Sequence, residues 1–462
     1  MDSEFPSRPL NNCRNCLLLT SLLSGGSGKR LWPLSNDVRS KQFLQLFKGR
    51  DGNSESMLQR VYRQLNNIGI QTKVTVATSK KQVSATYAQL GNDVDVCVEP
   101  CRKDTFPAIV LSAAYLVDVK GVKPTEAVVV CPVDPLVTSE YFRALIALQY
   151  QADLEMANIV LMGIVPTFPS EEYGYILPEG VKKLSAVKLF KEKPTKAMAE
   201  QYIEDGALWN SGVFAFKLQY ILRIAKELLG YSKYDELLAH YNEFEEVSFD
   251  YAVAEKERSI QVMRFGGQWM DMGSWNTLSE AMSVPIIGNG VIDETSTGVQ
   301  IVNETDMPIL AMGLHDVVIS ASPEGILVTD KEMSTCIKPF VDEFAKQEKI
   351  HEKNWGSVKV LDIENGSQTM KVTLNRGQTM DYHCHMRRDE YWIVISGEGQ
   401  VILDGKRSNV KMGDVITMKV GCKHTITAIK ELKLIEIQLG EDLGSNDKQK
   451  FDLASALNNS TN

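Results

Sequence analysis

Leu22-Leu23-Ser24-Gly25-Gly26-Ser27-Gly28-Lys29-Arg30-Leu31-Trp32-Pro33-Leu34-Ser35, with Lys41-Gln42-Phe43-Leu44 close behind, decides how the chain is read. The apolar run that begins at Leu17 and ends at Leu23 predicts a buried first strand. Glycines directly after a strand let backbone N–H groups approach a phosphate chain without Cβ obstruction. Lys29, Arg30 and Lys41 bring positive charge to the same place. The loop lacks the G-K-[ST] ending of a P-loop, and it is not the G-x-G-x-x-G fingerprint with its following acidic residue. A glycine loop alone can be structural punctuation; the attached basic residues favour a phosphate site.

Working outward, Val74-Thr75-Val76-Ala77, Ala127-Val128-Val129-Val130 and Ile159-Val160-Leu161-Met162 read as buried strands. Residues 79–91, 108–119 and 139–154 between them carry apolar spacing of three and four, so they read as helices. The alternation predicts an α/β domain with a Rossmann-like, mostly parallel sheet and ligands beyond the carboxyl ends of its strands. From about Pro285 short strands take over, as in Gly290-Val291-Ile292-Asp293 and Val317-Val318-Ile319-Ser320. A helix over 339–352 then precedes strands divided by Gly356, Gly366, Gly377, Gly397, Gly405, Gly413 and Gly421, which suggests a small antiparallel barrel. The expected division is an extension (1–16), an α/β domain (17–285), a linking β segment (286–338) and a C-terminal β-barrel (339–462).

A chain of 462 residues, at roughly 100–200 residues per domain, has room for two or three cores. Its hydrophobic fraction of 44% and charged fraction of 24% are ordinary globular values. The formal charge of -9 offers no basic field to nucleic acid. Arg8 and Arg14 before the first apolar run superficially resemble a secretory signal, but Thr20 and Ser21 break that run and it leads straight into the glycine loop. No apolar run approaches the ~20 residues of a membrane span. Eight scattered cysteines suit reduced thiols and a cytoplasmic protein. Cys13 and Cys16 form a lone C-x-x-C without a second ligand pair nearby.

Further motifs follow in order: Glu99-Pro100 with Arg102, Thr105 and Pro107-Ala108; Pro132-Val133-Asp134; Tyr173-Gly174-Tyr175-Ile176; Phe190-Lys191-Glu192-Lys193-Pro194; Trp209-Asn210-Ser211-Gly212-Val213-Phe214; Phe249-Asp250-Tyr251-Ala252-Val253-Ala254-Glu255-Lys256; and Trp269-Met270-Asp271-Met272-Gly273-Ser274-Trp275. With the glycine loop, this series resembles the sugar-phosphate nucleotidyltransferases, and most closely the mannose-1-phosphate guanylyltransferases. The resemblance implies attack by a sugar 1-phosphate oxygen, here of mannose 1-phosphate, on the α-phosphorus of GTP, with release of pyrophosphate. Such chemistry is largely positioning and electrostatics and needs no covalent nucleophile.

By the same resemblance Asp134 and Asp271 become the pair that holds Mg²⁺, although Pro135 stands where relatives usually carry histidine. Arg30 would stabilise the pyrophosphate, Lys41 would assist at the triphosphate, and Lys193 would hold the sugar phosphate. Gly25, Gly26, Gly28, Arg102 and Thr105 would serve the nucleotide; Gly174, Glu192, Asn210 and Gly212 would serve the sugar. Lys191-Glu192-Lys193 alone could be a solvated charge run, and Trp209 and Trp275 are more often core than ligand platforms.

In the second half, Gly377, His383, His385, Glu390 and Gly397 match the first cupin motif, and Gly413, Gly421 and His424 match the second. His383 and His385, two apart on a strand, face one side; Glu390 has the opposite parity and needs a turn or bulge to join them. These residues and His424 could bind Mn, Fe, Ni or Zn, or be satisfied histidines in a metal-free barrel. In the resembled bifunctional proteins this domain isomerises mannose 6-phosphate. Their stretch Q-M-H-H-H-R-A-E-H-W differs from this chain, where His383 replaces the glutamine and Met386, Arg387 and Tyr391 replace three histidines, a net loss of two, so isomerase activity stays open. Arg388 and Lys423 could meet a phosphate. Other readings are transfer to another sugar 1-phosphate or base, and a silent sugar-nucleotide-binding protein. A homo-oligomer is compatible with all of them.

Overall fold

The computed structural model describes residues 17–26, 29–36, 39–49, 52–282, 284–344, 350–443 and 447–452. The expected extension 1–16, its C-x-x-C pair and Gly28 lie outside these residues. Among them, strands β1 (Leu17–Leu23), β2 (Gln71–Ser79), β3 (Asp95–Glu99), β4 (Ala127–Pro132), β5 (Ile159–Ile164), β6 (Tyr175–Pro178), β7 (Leu184–Lys191), β8 (Leu208–Lys217) and β9 (Ile260–Phe265) form one nine-stranded sheet, ordered β3-β2-β1-β4-β8-β5-β9-β7-β6. β3, β2, β1 and β4 are mutually parallel, as are β5 and β9. β8 runs antiparallel to both β4 and β5, so the sheet is mixed.

Helices α1 (Met57–Asn66), α2 (Val83–Leu90), α3 (Thr105–Asp118) and α4 (Ser139–Asp153) supply cover on both faces. One apolar cluster joins Leu18, Leu22 and Val129 to Leu58, Leu145 and Leu148; another joins Leu19, Val128 and Val130 to Phe106, Ile109 and Phe216. Both faces of β1 are therefore buried, which is why its sequence is apolar without alternation. α1 starts with a capping box, Ser56 and Gln59 bonding each other's backbone N–H.

Two expected helices start or stop elsewhere. Residues 79–82 remain outside α2 because β2 pairs with β3 as far as Ser79 opposite Glu99. The expected helix 339–352 is short, Lys338–Phe344, and Ile350–Lys353 is a strand paired with Gly356–Glu364. Cross-strand pairing there overrides a local preference worth only tenths of a kcal/mol per residue.

Beyond the sheet, Ile286–Ile287, Gln300–Asn303 and Val317–Ser322 stack as parallel strands, with Gly325–Asp330 antiparallel on the outside. Val302 and Val318 of this segment share a core with Leu31, Leu34, Met272, Trp275, Ile337 and Val341. The C-terminal part is two sheets of six and five strands around Trp355, Val372, Trp392, Ile426 and Leu434. No helix among the described residues is long and apolar enough to cross a membrane.

Candidate functional site

Parallel register makes the carboxyl ends of β1, β2 and β4 level, with Leu23 opposite both Ala77 and Pro132. The loops that follow are therefore neighbours. Gly25 and Gly26 leave β1, Asp134 follows β4, and Glu99 ends β3. Trp269–Asp271 pairs antiparallel with Pro135–Val137, setting Asp271 opposite Pro135 and hence beside Asp134.

Lys41 Nζ lies 2.5 Å from Asp134 Oδ2 and 3.9 Å from Asp271 Oδ1. Burial opposes the Lys41 charge, but the two carboxylates outweigh it and raise its pKa. Burial pushes the Asp271 carboxyl up, Lys41 pulls it down, and Asp134 adds repulsion. Two hard oxygen donors turned toward one cationic point are the donor set that suits Mg²⁺, so these residues fit that ion. Pro135, in place of the expected histidine, sits in the strand and leaves the carboxylate pair intact.

Arg30 reaches Glu172 at 2.7 Å, with the two side chains 40% and 59% exposed. An ion pair this exposed is worth only ~0–1 kcal/mol, so the guanidinium is readily given up to another anion. Arg102 donates to the Gly26 carbonyl at 3.4 Å, which brings it to the glycine loop. Thr105 is engaged elsewhere: its hydroxyl accepts from the Phe249 N–H at 2.8 Å and ties the start of α3 to the opposite wall.

The expected sugar residues form a second group. A Cβ on Gly174 would fall on Glu192 Oε2 and 3.2 Å from Asn210 Cβ, so glycine is required by close approach. Gly212 adopts φ 70° where the register of β8 shifts between Asn210 and Phe214. Asn210 is held at both ends, donating to Asp250 Oδ1 at 2.7 Å and accepting from Gly212 N–H at 3.2 Å. Lys193 Nζ is 3.5 Å from Glu192 Oε1. Glu192 Oε2 is buried and has no hydrogen-bond partner among the described residues, an acceptor left with capacity to spare.

Two acidic residues join without having been singled out individually. Asp250 has its carboxyl pushed up to about 7, by burial and then by the Glu192 charge. Glu99 is 4% exposed, accepts from Tyr241 Oη at 2.9 Å, and places Oε1 3.1 Å from where a Gly25 Cβ would stand. Burial pushes its carboxyl to about 7, against the Tyr241 hydrogen bond and the Arg102 charge. Both lay inside quoted motifs; the available signal was an acidic residue ending or interrupting an apolar stretch.

In the C-terminal barrel, ligand atoms of His383, His385, Glu390 and His424 lie within 4.8 Å of one another, all buried. A break at Met386-Arg387 separates His383–His385 from Arg388–Ser396 and corrects the parity of Glu390. His383 Nδ1 donates to the Asp381 carbonyl at 2.7 Å and His424 Nδ1 to the Cys422 carbonyl at 3.0 Å, so both Nε2 atoms are free to ligate. His424 Nε2 and Glu390 Oε2 are 2.9 Å apart without hydrogen-bond alignment, as befits ligands converging on a common centre. The residues fit a divalent transition metal. Arg388 is buried against Glu390 at 3.3 Å, whereas Lys423 lies over the Phe451 ring. Glu436, Gln438 and Lys448, not foreseen, surround the same centre.

A family model described as nucleotidyl transferase matches residues 20–284, and one described as mannose-6-phosphate isomerase C-terminal matches 341–453. The mannose-1-phosphate guanylyltransferase of Salmonella montevideo is 28% identical over 93% of this chain and 98% of its own length. The alginate biosynthesis protein AlgA of Pseudomonas aeruginosa is 28% identical over 94% of this chain and 96% of its own. The crystal structure of mannose-1-phosphate geranyltransferase from Thermus thermophilus superposes with a TM-score of 0.59 at 27% identity, covering 71% of this chain and 99% of that one. With its glycine loop, paired aspartates and mixed sheet, the chain belongs to the nucleotidyl transferase family and carries an isomerase-like C-terminal domain.

Proposed function

We propose that the protein transfers a guanylyl group from GTP to mannose 1-phosphate, giving GDP-mannose and pyrophosphate. The observation that carries this reading is the meeting of Asp134, Asp271 and Lys41 beside the glycine loop. A mannose 1-phosphate oxygen attacks the α-phosphorus in line; the new P–O bond forms as the bond to the pyrophosphate oxygen breaks. Mg²⁺, when bound by Asp134 and Asp271, supplies neutralisation of phosphate charge. Lys41 and Arg30 hold the triphosphate and take up charge as pyrophosphate leaves, while Lys193 steadies the attacking phosphate. Glu192 accepts from sugar hydroxyls, oriented beside Asn210 and Asp250. Nucleotide and sugar phosphate are the partners in this reading, without nucleic acid or membrane.

Guanine is favoured by Glu99. Its N1–H and N2–H₂ edge offers adjacent donors to a carboxylate, which adenine lacks. The acceptor is the ionised form, and the carboxyl sits at about 7. Ionisation therefore grows from about a tenth at pH 6 to nine-tenths at pH 8, and the KM for GTP should fall about tenfold across that range. Glu99→Gln should flatten the profile; an unchanged profile in that variant would remove Glu99 from base recognition.

Gly174→Ala places a methyl group on Glu192 Oε2. The KM for mannose 1-phosphate should rise roughly tenfold, with that for GTP little altered. Equal effects on both substrates would contradict a separate sugar site. The decisive test of the whole reading is pyrophosphate release by purified protein with Mg²⁺, each nucleoside triphosphate, and mannose or glucose 1-phosphate; no product from GTP with mannose 1-phosphate sinks it. For the barrel we propose metal binding by His383, His385, Glu390 and His424. Mannose 6-phosphate isomerisation is read in a separate assay.

A further inference from the structure

Arg30 and Lys41 flank one short strap, of which residues 32–36 and 39 are described, and these are held from outside the α/β domain. Arg39 makes a bidentate pair with Glu304, Nη1 to Oε2 at 2.7 Å and Nη2 to Oε1 at 2.8 Å. The two side chains are 16% and 25% exposed, so the fork is largely shielded. Ser322 Oγ, buried, donates to the Pro33 carbonyl at 2.6 Å, and Asn36 Nδ2 donates to Glu324 Oε1 at 3.4 Å. The Trp32 ring lies so close to Gly325 that a Cβ there would stand 2.5 Å from its Cζ2. Glu304, Ser322, Glu324 and Gly325 all belong to the linking β segment. Within the strap, Asn36 and Arg39 are bonded to each other, Arg39 N–H donating to Asn36 Oδ1 at 2.7 Å and Asn36 N–H to the Arg39 carbonyl at 2.9 Å.

Both ends of the strap are therefore pinned: one pin lies three residues after Arg30, the other two residues before Lys41. We propose that the linking β segment is a working part of the nucleotide site, with Glu304 and Ser322 as positioning residues that set where the Arg30 and Lys41 charges meet the triphosphate. This rests on the nucleotidyl-transfer reading. A misplacement of about 1 Å by a remote change can cost up to ~10²-fold in rate, so a loosened strap should be measurable. The weakening should fall on the triphosphate and spare the sugar phosphate, whose residues sit on β8 and beside the ends of β6 and β7.

The test uses the full chain. Glu304→Gln, Ser322→Ala, and the reversed pair Arg39→Glu with Glu304→Arg are compared with wild type. The readouts are melting temperature, titration with a fluorescent GTP analogue, and separate KM values for GTP and mannose 1-phosphate. Glu304→Gln should weaken analogue binding and raise the KM for GTP roughly five- to tenfold, with less than about a twofold change for mannose 1-phosphate. Ser322→Ala should give a smaller shift of the same kind, and the reversed pair should recover part of the loss. A lowered melting temperature with unchanged nucleotide constants would make these contacts a structural pin only and overturn the proposal. Should wild type bind the analogue without forming product, the transfer reading fails while a binding shift in Glu304→Gln still supports the positioning role. If wild type binds no nucleotide, both fall.

Discussion

Asp271→Asn should lower turnover by roughly 10³-fold or more while leaving the melting temperature within a few degrees of wild type. The proposed chemistry brings two polyanions together, and the Asp134–Asp271 pair would let a divalent ion share the site with them. Asparagine keeps the shape and loses the charge. Its amide is a poor ligand for an ion that holds its waters tightly. The fold should survive because Lys41 keeps its closer partner, Asp134 at 2.5 Å, and because burial already disfavours the Asp271 charge. Pyrophosphate release against Mg²⁺ concentration, beside a thermal melt, reads both halves. A rise in the Mg²⁺ requirement with partial rescue at high concentration is the expected signature. Wild-type turnover at ordinary Mg²⁺ would remove Asp271 from the metal pair.

Much of this site was legible in the sequence because its parts are local. The glycine loop can be read from Gly25-Gly26 after an apolar strand, and Asp134 from its place after another, since each sits within a few residues of the strand end that positions it. What sequence does not carry is strand polarity set by distant partners. Leu208–Lys217 enters the sheet antiparallel between Ala127–Pro132 and Ile159–Ile164, and nothing in its ten residues announces that orientation. The charged stretch at 350–353 reads as helix until Gly356–Glu364 is available to pair with it. Glu99 and Asp250 show the same limit within the site. Their motifs were visible, but their standing as buried carboxyls depends on Tyr241, Glu192 and Asn210, which are brought to them by tertiary structure. Glu304 is further still, 265 residues from Arg39.

The barrel yields the second large effect. Glu390→Gln should reduce bound divalent transition metal from about one ion per chain to near background, an affinity loss of at least ~100-fold. Burial keeps His383 and His385 neutral near pH 7, their pKa values depressed to about 2 and about 4. Glu436 beside them is buried and pushed up to about 8, first by burial and then by the Glu390 charge, so it is mainly protonated at neutral pH. Glu390 is thus the anionic member of the ligand set. Although burial opposes its ionisation, the Arg388 guanidinium 3.3 Å away helps to hold its carboxyl below the usual carboxylate range. Removing that charge leaves Arg388 without its carboxylate partner amid imidazoles that then offer a cation no compensation. Metal content measured on dialysed protein, with a thermal melt before and after chelation, tests this. Wild type should melt lower after chelation and recover on adding metal back, whereas Glu390→Gln should show neither change. A full complement of metal in the variant would mean that the three histidines alone define the centre.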